Sequence, residues 1–326
     1  MKAIKFFAIS AMAAAMITSC SNEDELSQSN YPSDNIIRIT AGVNNAKTRA
    51  EGAGTPLKNP LSLTVVNKNA PKYTYVNQVF TKDENEVWKC SETLLWQKDT
   101  QPVDIVAFAP AQEGKFSGVY ANEKFNAVTY SIAADQSTKN DNNDLLYYYA
   151  PGFVPKDKLE NQKLNIEMNH AFCMIDIVVT LGTEFNKPDI PTTSPITEVT
   201  LEGTKIEANV NVTNAANIVT ASEEATAAKI TTTNGSFDKA ANAEANAISH
   251  FSCIAIPQTV GAKTFKVSLK TAGKQYEWTS EAAVELKSGY RYTLELSMGN
   301  NVVLLKGEKI TASPWTEGTG GSLETD

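Results

Sequence analysis

Cysteine, histidine and clustered carboxylate are the side chains most often used for catalysis or metal binding, and here they are sparse and scattered. The 326-residue sequence has two histidines, His170 and His250, and four cysteines, Cys20, Cys90, Cys173 and Cys253. Neither histidine has further ligands at helical or hairpin spacing, so no metal site is expected. Each stands in an apolar run, where a lone histidine reads as a structural residue. No GxSxG, P-loop, GxGxxG or paired-carboxylate signature occurs, so the chain reads as a non-enzyme without a cofactor. Asp135-Gln136-Ser137-Thr138-Lys139-Asn140-Asp141 lacks the ligand ladder and closing glutamate of a calcium loop and reads as a polar loop. Cys90, Cys173 and Cys253 form no CxxC pair and read as buried inert thiols. An oxidising compartment would allow one disulfide, with Cys173–Cys253 the favoured pair and the spare cysteine free, but the sequence leaves the status of all three open. Trp88, Trp96, Trp278 and Trp315 have two readings, as stacking platforms for sugar rings or as core fillers.

Cys20 stands apart. Lys2 and Lys5 precede an apolar run, Phe6–Ile17, interrupted only by Ser10, and small residues follow. That order marks residues 1–19 as a secretory signal peptide. Twelve helical residues reach only about 18 Å, too short for a hydrocarbon core of about 30 Å. Ile17-Thr18-Ser19-Cys20 resembles a bacterial lipoprotein box, which implies acyl chains on Cys20 and attachment to a membrane. Each buried methylene contributes about 0.8 kcal/mol, so two or more chains anchor stably. Ser21-Asn22-Glu23-Asp24-Glu25 resembles the acidic signal that sends Bacteroidales lipoproteins to the outer face of the outer membrane. Residues 20–35 are therefore an acidic tether. The net charge of −8 becomes −10 once Lys2 and Lys5 are removed, which argues against nucleic acid as a partner.

The body must position whatever function remains, and its pattern is short alternating runs divided by turn residues. Ile37, Ile39, Ala41 and Val43 share one face of a first strand opening at Ile36. Further strands are expected at Leu61–Val65, Tyr73–Phe80, Glu86–Cys90, Val103–Ala109 and Leu145–Ala150. Beyond a polar linker at Pro155–Leu164 come Phe172–Leu181, Ile196–Leu201, Ile206–Val212, Ile248–Ile256, Thr264–Lys270, Tyr290–Ser297 and Val302–Leu305. Phe172–Leu181 is almost continuously apolar and reads as buried on both faces, with Asp176 turned to solvent or to a donor. Thr213–Ala247, rich in Ala, Thr and Asn, reads as a long exposed connection with at most a hairpin at Asn234-Gly235. Many short strands without helices predict an all-β chain of two tandem β-sandwiches, 36–160 and 161–326.

Several segments together resemble the fimbrillin family of Bacteroidales type V pili. Leu95-Trp96 followed by Val103-Asp104-Ile105-Val106-Ala107-Phe108-Ala109-Pro110 resembles its tryptophan and "vDfyAyyP" stretch. Ala134-Asp135-Gln136-Ser137 with Asp144-Leu145-Leu146-Tyr147 resembles its "DQ…DlLyA" pair. Leu164–Phe172, Ile256-Pro257-Gln258-Thr259 and Ile310…Pro314-Trp315 continue the match in the same order. The resemblance implies two transthyretin-like (Greek-key) sandwiches and an adhesive or structural role. It also implies maturation by an arginine-specific protease, for which Thr48-Arg49-Ala50 in the polar segment 44–52 is the fitting site, with the cut between Arg49 and Ala50.

Such a cut would detach the first strand. Its inward residues Ile37, Ile39 and Val43 forfeit roughly 1.5–3 kcal/mol each, with Ala41 less, about 5–9 kcal/mol as an upper figure. Whole domains are stable by about 5–15 kcal/mol, so the stripped domain is marginal and carries an open apolar groove. A strand from a neighbour fits that groove, and head-to-tail filling makes an open filament. The donor candidate is Val302, Val303, Leu304 and Leu305, which also reads as an ordinary last strand.

The expected function is a structural or adhesive subunit of a surface filament. Its expected partners are other copies or related pilus subunits, the outer membrane through the lipid on Cys20, and a surface glycan or protein. A stalk subunit needs both groove and donor, a tip subunit only the groove, and an anchor keeps its lipidated segment. These roles stay open, with Val302–Leu305 leaning toward a stalk. The rival is a non-polymerising, glycan-binding surface lipoprotein that retains residues 20–49.

Overall fold

Alternation of residue type becomes alternation of burial. In the computed structural model, which describes residues 30–44, 55–140, 143–305 and 310–315, the strand Cys173–Leu181 buries every second side chain. Cys173, Ile175, Ile177, Val179 and Leu181 are fully enclosed, while Met174, Asp176, Val178 and Thr180 are half-buried. The expectation of burial on both faces is corrected here. The strand is central, with Ala247–Ala255 antiparallel on one edge and Tyr290–Met298 parallel on the other. Its second face is only half covered. There Asp176 meets Arg291 at 3.3 Å. Burial pushes the Asp176 carboxyl upward, and Arg291 opposes that shift.

The described residues are all-β apart from short helical turns. Among the described residues an eight-stranded sheet runs in the order Thr55–Pro56, Ile39–Val43, Leu164–His170, Leu146–Phe153, Val103–Ala109, Leu61–Val66, Tyr75–Lys82, Trp88–Cys90. A second sheet runs Thr233–Asp238, Ala247–Ala255, Cys173–Leu181, Tyr290–Met298, with Val303–Leu305 and Thr311–Pro314 both on its far edge. A third runs Ala227–Thr231, Ile196–Lys205, Lys266–Thr271, Gln275–Thr279. No described helix is long and apolar enough to cross a membrane.

Among the described residues two hydrophobic clusters result. One joins Ile37, Ile39 and Val43 to Leu61, Leu63, Ile105, Leu164 and Ile166. The other joins Phe172, Ile175 and Leu294 to Phe108, Phe116 and Tyr130. Val103–Ala109 serves both, because Ile105 and Ala107 belong to the first cluster while Val106 and Phe108 belong to the second.

The sheets do not divide at 160/161. Leu164–His170 pairs with the first strand and with Leu146–Phe153, so it completes the leading sheet. Val128–Ser131, from the first half, instead pairs with Glu207–Val210 in the second. The expected linker is a helical turn, Pro155–Lys158, pinned by buried Leu159.

Thr213–Ala247 also differs from expectation. It forms strands at Val219–Ala221, Ala227–Thr231 and Thr233–Asp238, each at the end of a sheet. An edge strand needs few bulky residues, because backbone pairing to a well-packed neighbour holds it. Asn234-Gly235 lies inside Thr233–Asp238 at a register shift, not at a hairpin tip. A Cβ on Gly235 would stand 2.9 Å from the His250 carbonyl oxygen, so glycine permits this close approach.

Candidate functional site

The first strand is built as its alternation dictates. Ile37, Ile39 and Val43 are 4%, 5% and 7% exposed, and Ala41 is partly buried beside them. Ile39–Val43 lies parallel to Leu164–Met168, pairing Ile39 with Leu164 and Val43 with Met168. Its other edge pairs Gly42 with Pro56 and Val43 with Thr55. Upstream, Ile37 donates its N–H to the Leu94 carbonyl at 2.9 Å. On the solvent side Thr40 donates to Asn165 and the Asn44 amide to Asn169, both at 3.1 Å. Arg38 grips Asp34 at 2.6 Å, and the hydrogen bond from its guanidinium holds the Asp34 carboxyl down at about 2.

Strand pairing explains what removal of this strand would undo. Thr55–Pro56 has the first strand as its sheet partner, and buried Leu57 donates its N–H to Ala41 at 3.3 Å. Loss of Ile39–Val43 therefore orphans this short strand, uncovers Leu57 and opens one edge of Leu164–His170. Cys20, Arg49 and Ala50 lie outside the described residues.

The candidate donor is an edge segment at rest. Val303–Leu305 pairs antiparallel with Leu296–Met298, placing Val303 opposite Met298. Val303 is buried and Leu305 half-buried, whereas Val302 and Leu304 are 50% and 59% exposed. Lys274 Nζ and the Tyr276 hydroxyl both donate to the Asn300 carbonyl, at 2.8 and 3.0 Å. Thr311–Pro314 continues along the same edge, opposite Tyr290–Thr293. The first strand and this edge segment belong to different sheets, and the structure does not bring them together.

His170 is 5% exposed, its Nδ1 lies 3.0 Å from an Asp144 carboxylate oxygen, and its ring stacks on Trp315 at 3.7 Å. His250 Nε2 lies 3.3 Å from Asp238. Cys173 and Cys253 are both buried and free; Cys173 faces Ala255 and Cys253 faces Ile175, two residues out of step for a bridge. Burial pushes both thiols up, Cys253 to about 12. Of the tryptophans, Trp96 and Trp315 are buried, while Trp88 and Trp278 are half-buried.

One buried amide has a role that residue order alone does not show. Gln136 is 2% exposed, donates to Ala133 and Ile254 carbonyls at 3.1 and 2.9 Å, and accepts from the Ile254 N–H at 2.8 Å. Its place in the Ala134–Ser137 motif was the available signal; an amide enclosed this way fixes a loop on Ala247–Ala255.

The described chain is all-β, with a leading strand built into one sheet and an edge strand near its other end. The sequence profile of the fimbrillin-like family matches residues 48–315, and the chain belongs to that family. No curated protein matches. Solved Bacteroides structures share the fold. One from Bacteroides ovatus, designated a cell-adhesion protein, is 17% identical with a TM-score of 0.61, covering 86% of this chain and 97% of its own. Another so designated, from Bacteroides uniformis, is 16% identical with a TM-score of 0.58, covering 87% and 100%. A fimbrial protein from Bacteroides vulgatus is 14% identical with a TM-score of 0.52, covering 86% and 99%.

Proposed function

We propose that the chain is a subunit of a surface fimbria, delivered as a lipoprotein through Cys20, matured by cleavage after Arg49 and assembled by strand exchange. It performs no catalysis. The observation that carries this reading is the first strand. Ile37, Ile39 and Val43 are core residues, yet their strand leads directly into the segment containing Arg49. One cut there separates it from the rest of the chain, leaving only non-covalent contacts to hold it.

The acceptor is then the edge of Leu164–His170 with the apolar floor of Leu61, Leu63, Ile105 and Ile166. The donor is Val302–Leu305 of a second copy or a related subunit. Val303–Leu305 is at a sheet edge, so its departure leaves the interior strand order intact. Adhesion to a surface glycan or protein is the role of the assembled filament.

Surface protein from cells expressing the wild type and Arg49→Ala tests the proposal by intact mass, N-terminal sequencing and electron microscopy. The wild type is expected to begin at Ala50 and form fibres. Arg49→Ala is expected to keep acylated Cys20 and form none. Equal masses with equal fibre formation overturn it.

A further inference from the structure

The C-terminal edge segment is held weakly along its length and firmly at one point. Thr311–Pro314 is exposed at every position, and Val302 and Leu304 are turned to solvent. Among the described residues of 302–305 and 310–315, only Val303 and Trp315 are buried. Trp315 is by far the larger side chain, and a buried aromatic ring dominates the packing of the segment that carries it.

Its seat is assembled from three places in the chain. The indole lies 3.7 Å from the His170 ring, with 11° between the planes. The Trp315 backbone N–H donates to the Gly289 carbonyl at 2.7 Å, and the Gly289 backbone N–H to the Phe172 carbonyl at 2.9 Å. Ser288 Oγ donates to the Ala171 carbonyl at 2.6 Å, fastening the same turn beneath the indole. Asp144 holds the imidazole through Nδ1 at 3.0 and 3.1 Å, which fixes the ring plane on which Trp315 stacks. The ladder to Tyr290–Met298 supports the segment along one edge, and half-buried Leu305 and Ile310 pack against the same core.

We infer that Trp315, His170 and Asp144 form a catch that keeps the C-terminal segment on its own sheet and must open before that segment is offered to a neighbour. The second half of this statement rests on the donor role proposed above; the first half does not. Opening requires the indole to leave its imidazole partner, after which the exposed ladder at Thr311–Pro314 has no buried side chain to retain it.

Amide hydrogen exchange of the full-length monomer, residue by residue, tests the catch without protease or polymer. In Trp315→Ala, the amides of Val303–Leu305 and Thr311–Ser313 are expected to exchange at least about tenfold faster, with Cys173–Leu181 unchanged. Trp315→Phe keeps an aromatic ring on His170 and is expected to retain most of the protection. Asp144→Asn, which weakens the hold on the imidazole, is expected to fall between the two, and Trp88→Ala to match the wild type. Wild-type rates in Trp315→Ala, or acceleration spread equally over Cys173–Leu181, overturn the catch. Should Trp315→Ala fail to fold, unchanged edge-segment rates in both Trp315→Phe and Asp144→Asn overturn it as well. The maturation reading fails on different evidence, the mass and N-terminus of the surface protein.

Discussion

Val43 is held on both edges at once, in parallel register against Met168 and in antiparallel register against Thr55. It closes a strand whose inward residues belong to the leading core, and the chain beyond it leads to Arg49. Under the proposed maturation, a cut after Arg49 would free this structurally integral strand and leave its groove open.

That role sets the energetic weight of the strand's buried face. Ile39→Ala is expected to destabilise the protein by about 2–5 kcal/mol, since a large aliphatic side chain is removed from a packed core. Thr40→Ala, on the solvent side of the same strand, should change stability by no more than about 0.5 kcal/mol. Urea unfolding of both variants measures the difference.

Leu304 allows the proposed donor role to be tested apart from folding. It is 59% exposed and pairs with Ser297 only through the backbone register. Leu304→Lys should leave monomer stability within about 0.5 kcal/mol, while fibre formation by matured protein falls if this segment is the donor. Thermal melts of the monomer and electron micrographs of the matured sample provide the two readouts.

Gln136 is expected to be costly to replace. Gln136→Leu strips both the N–H and the carbonyl of Ile254 of their side-chain partner. Leaving buried backbone groups unpaired costs about 2–4 kcal/mol in total. Denaturant midpoints for this variant report the loss.

Thiol labelling should discriminate sharply. Cys90 is half-buried, whereas Cys173 and Cys253 are buried and their thiols are pushed upward, Cys253 to about 12. At pH 8 a thiol reagent is expected to modify Cys90 in the folded protein and the other two only after unfolding. Peptide mapping of labelled native protein checks the order.

Asp34 gives the pH response just upstream of the first strand. Its folded pKa, about 2, lies below the ordinary carboxylate value of 3.8 because Arg38 donates to it. The pair's contribution is therefore present above about pH 4 and is lost as pH falls through about 2. Carboxyl titration by NMR should find Asp34 moved up toward its ordinary value in Arg38→Ala, with the Ile36 N–H still holding it somewhat down.

Much of this architecture is legible in residue order, for a physical reason. Alternation of apolar and polar residues has the same period as the strand, so Ile37, Ile39 and Val43 announce their common face without knowledge of any partner. Val103–Ala109 was equally clear, and its ends match the observed strand. Asn234-Gly235 misled because a dipeptide turn signal is local, whereas the bulge there answers the approach of His250. The Ala- and Thr-rich strands between 219 and 238 were silent, since edge strands need little apolar burial.

Residue order by itself therefore determined the strand class of the chain, the inward face of its opening strand, and the placement of Arg49 just beyond that strand. Tertiary structure decided which strands became neighbours: Leu164–His170 beside Ile39–Val43, Val128–Ser131 beside Glu207–Val210, and Trp315 against His170. Periodicity is a property of one segment, but pairing is a competition among distant segments for the same hydrogen bonds and the same buried surface. Only the folded chain resolves that competition.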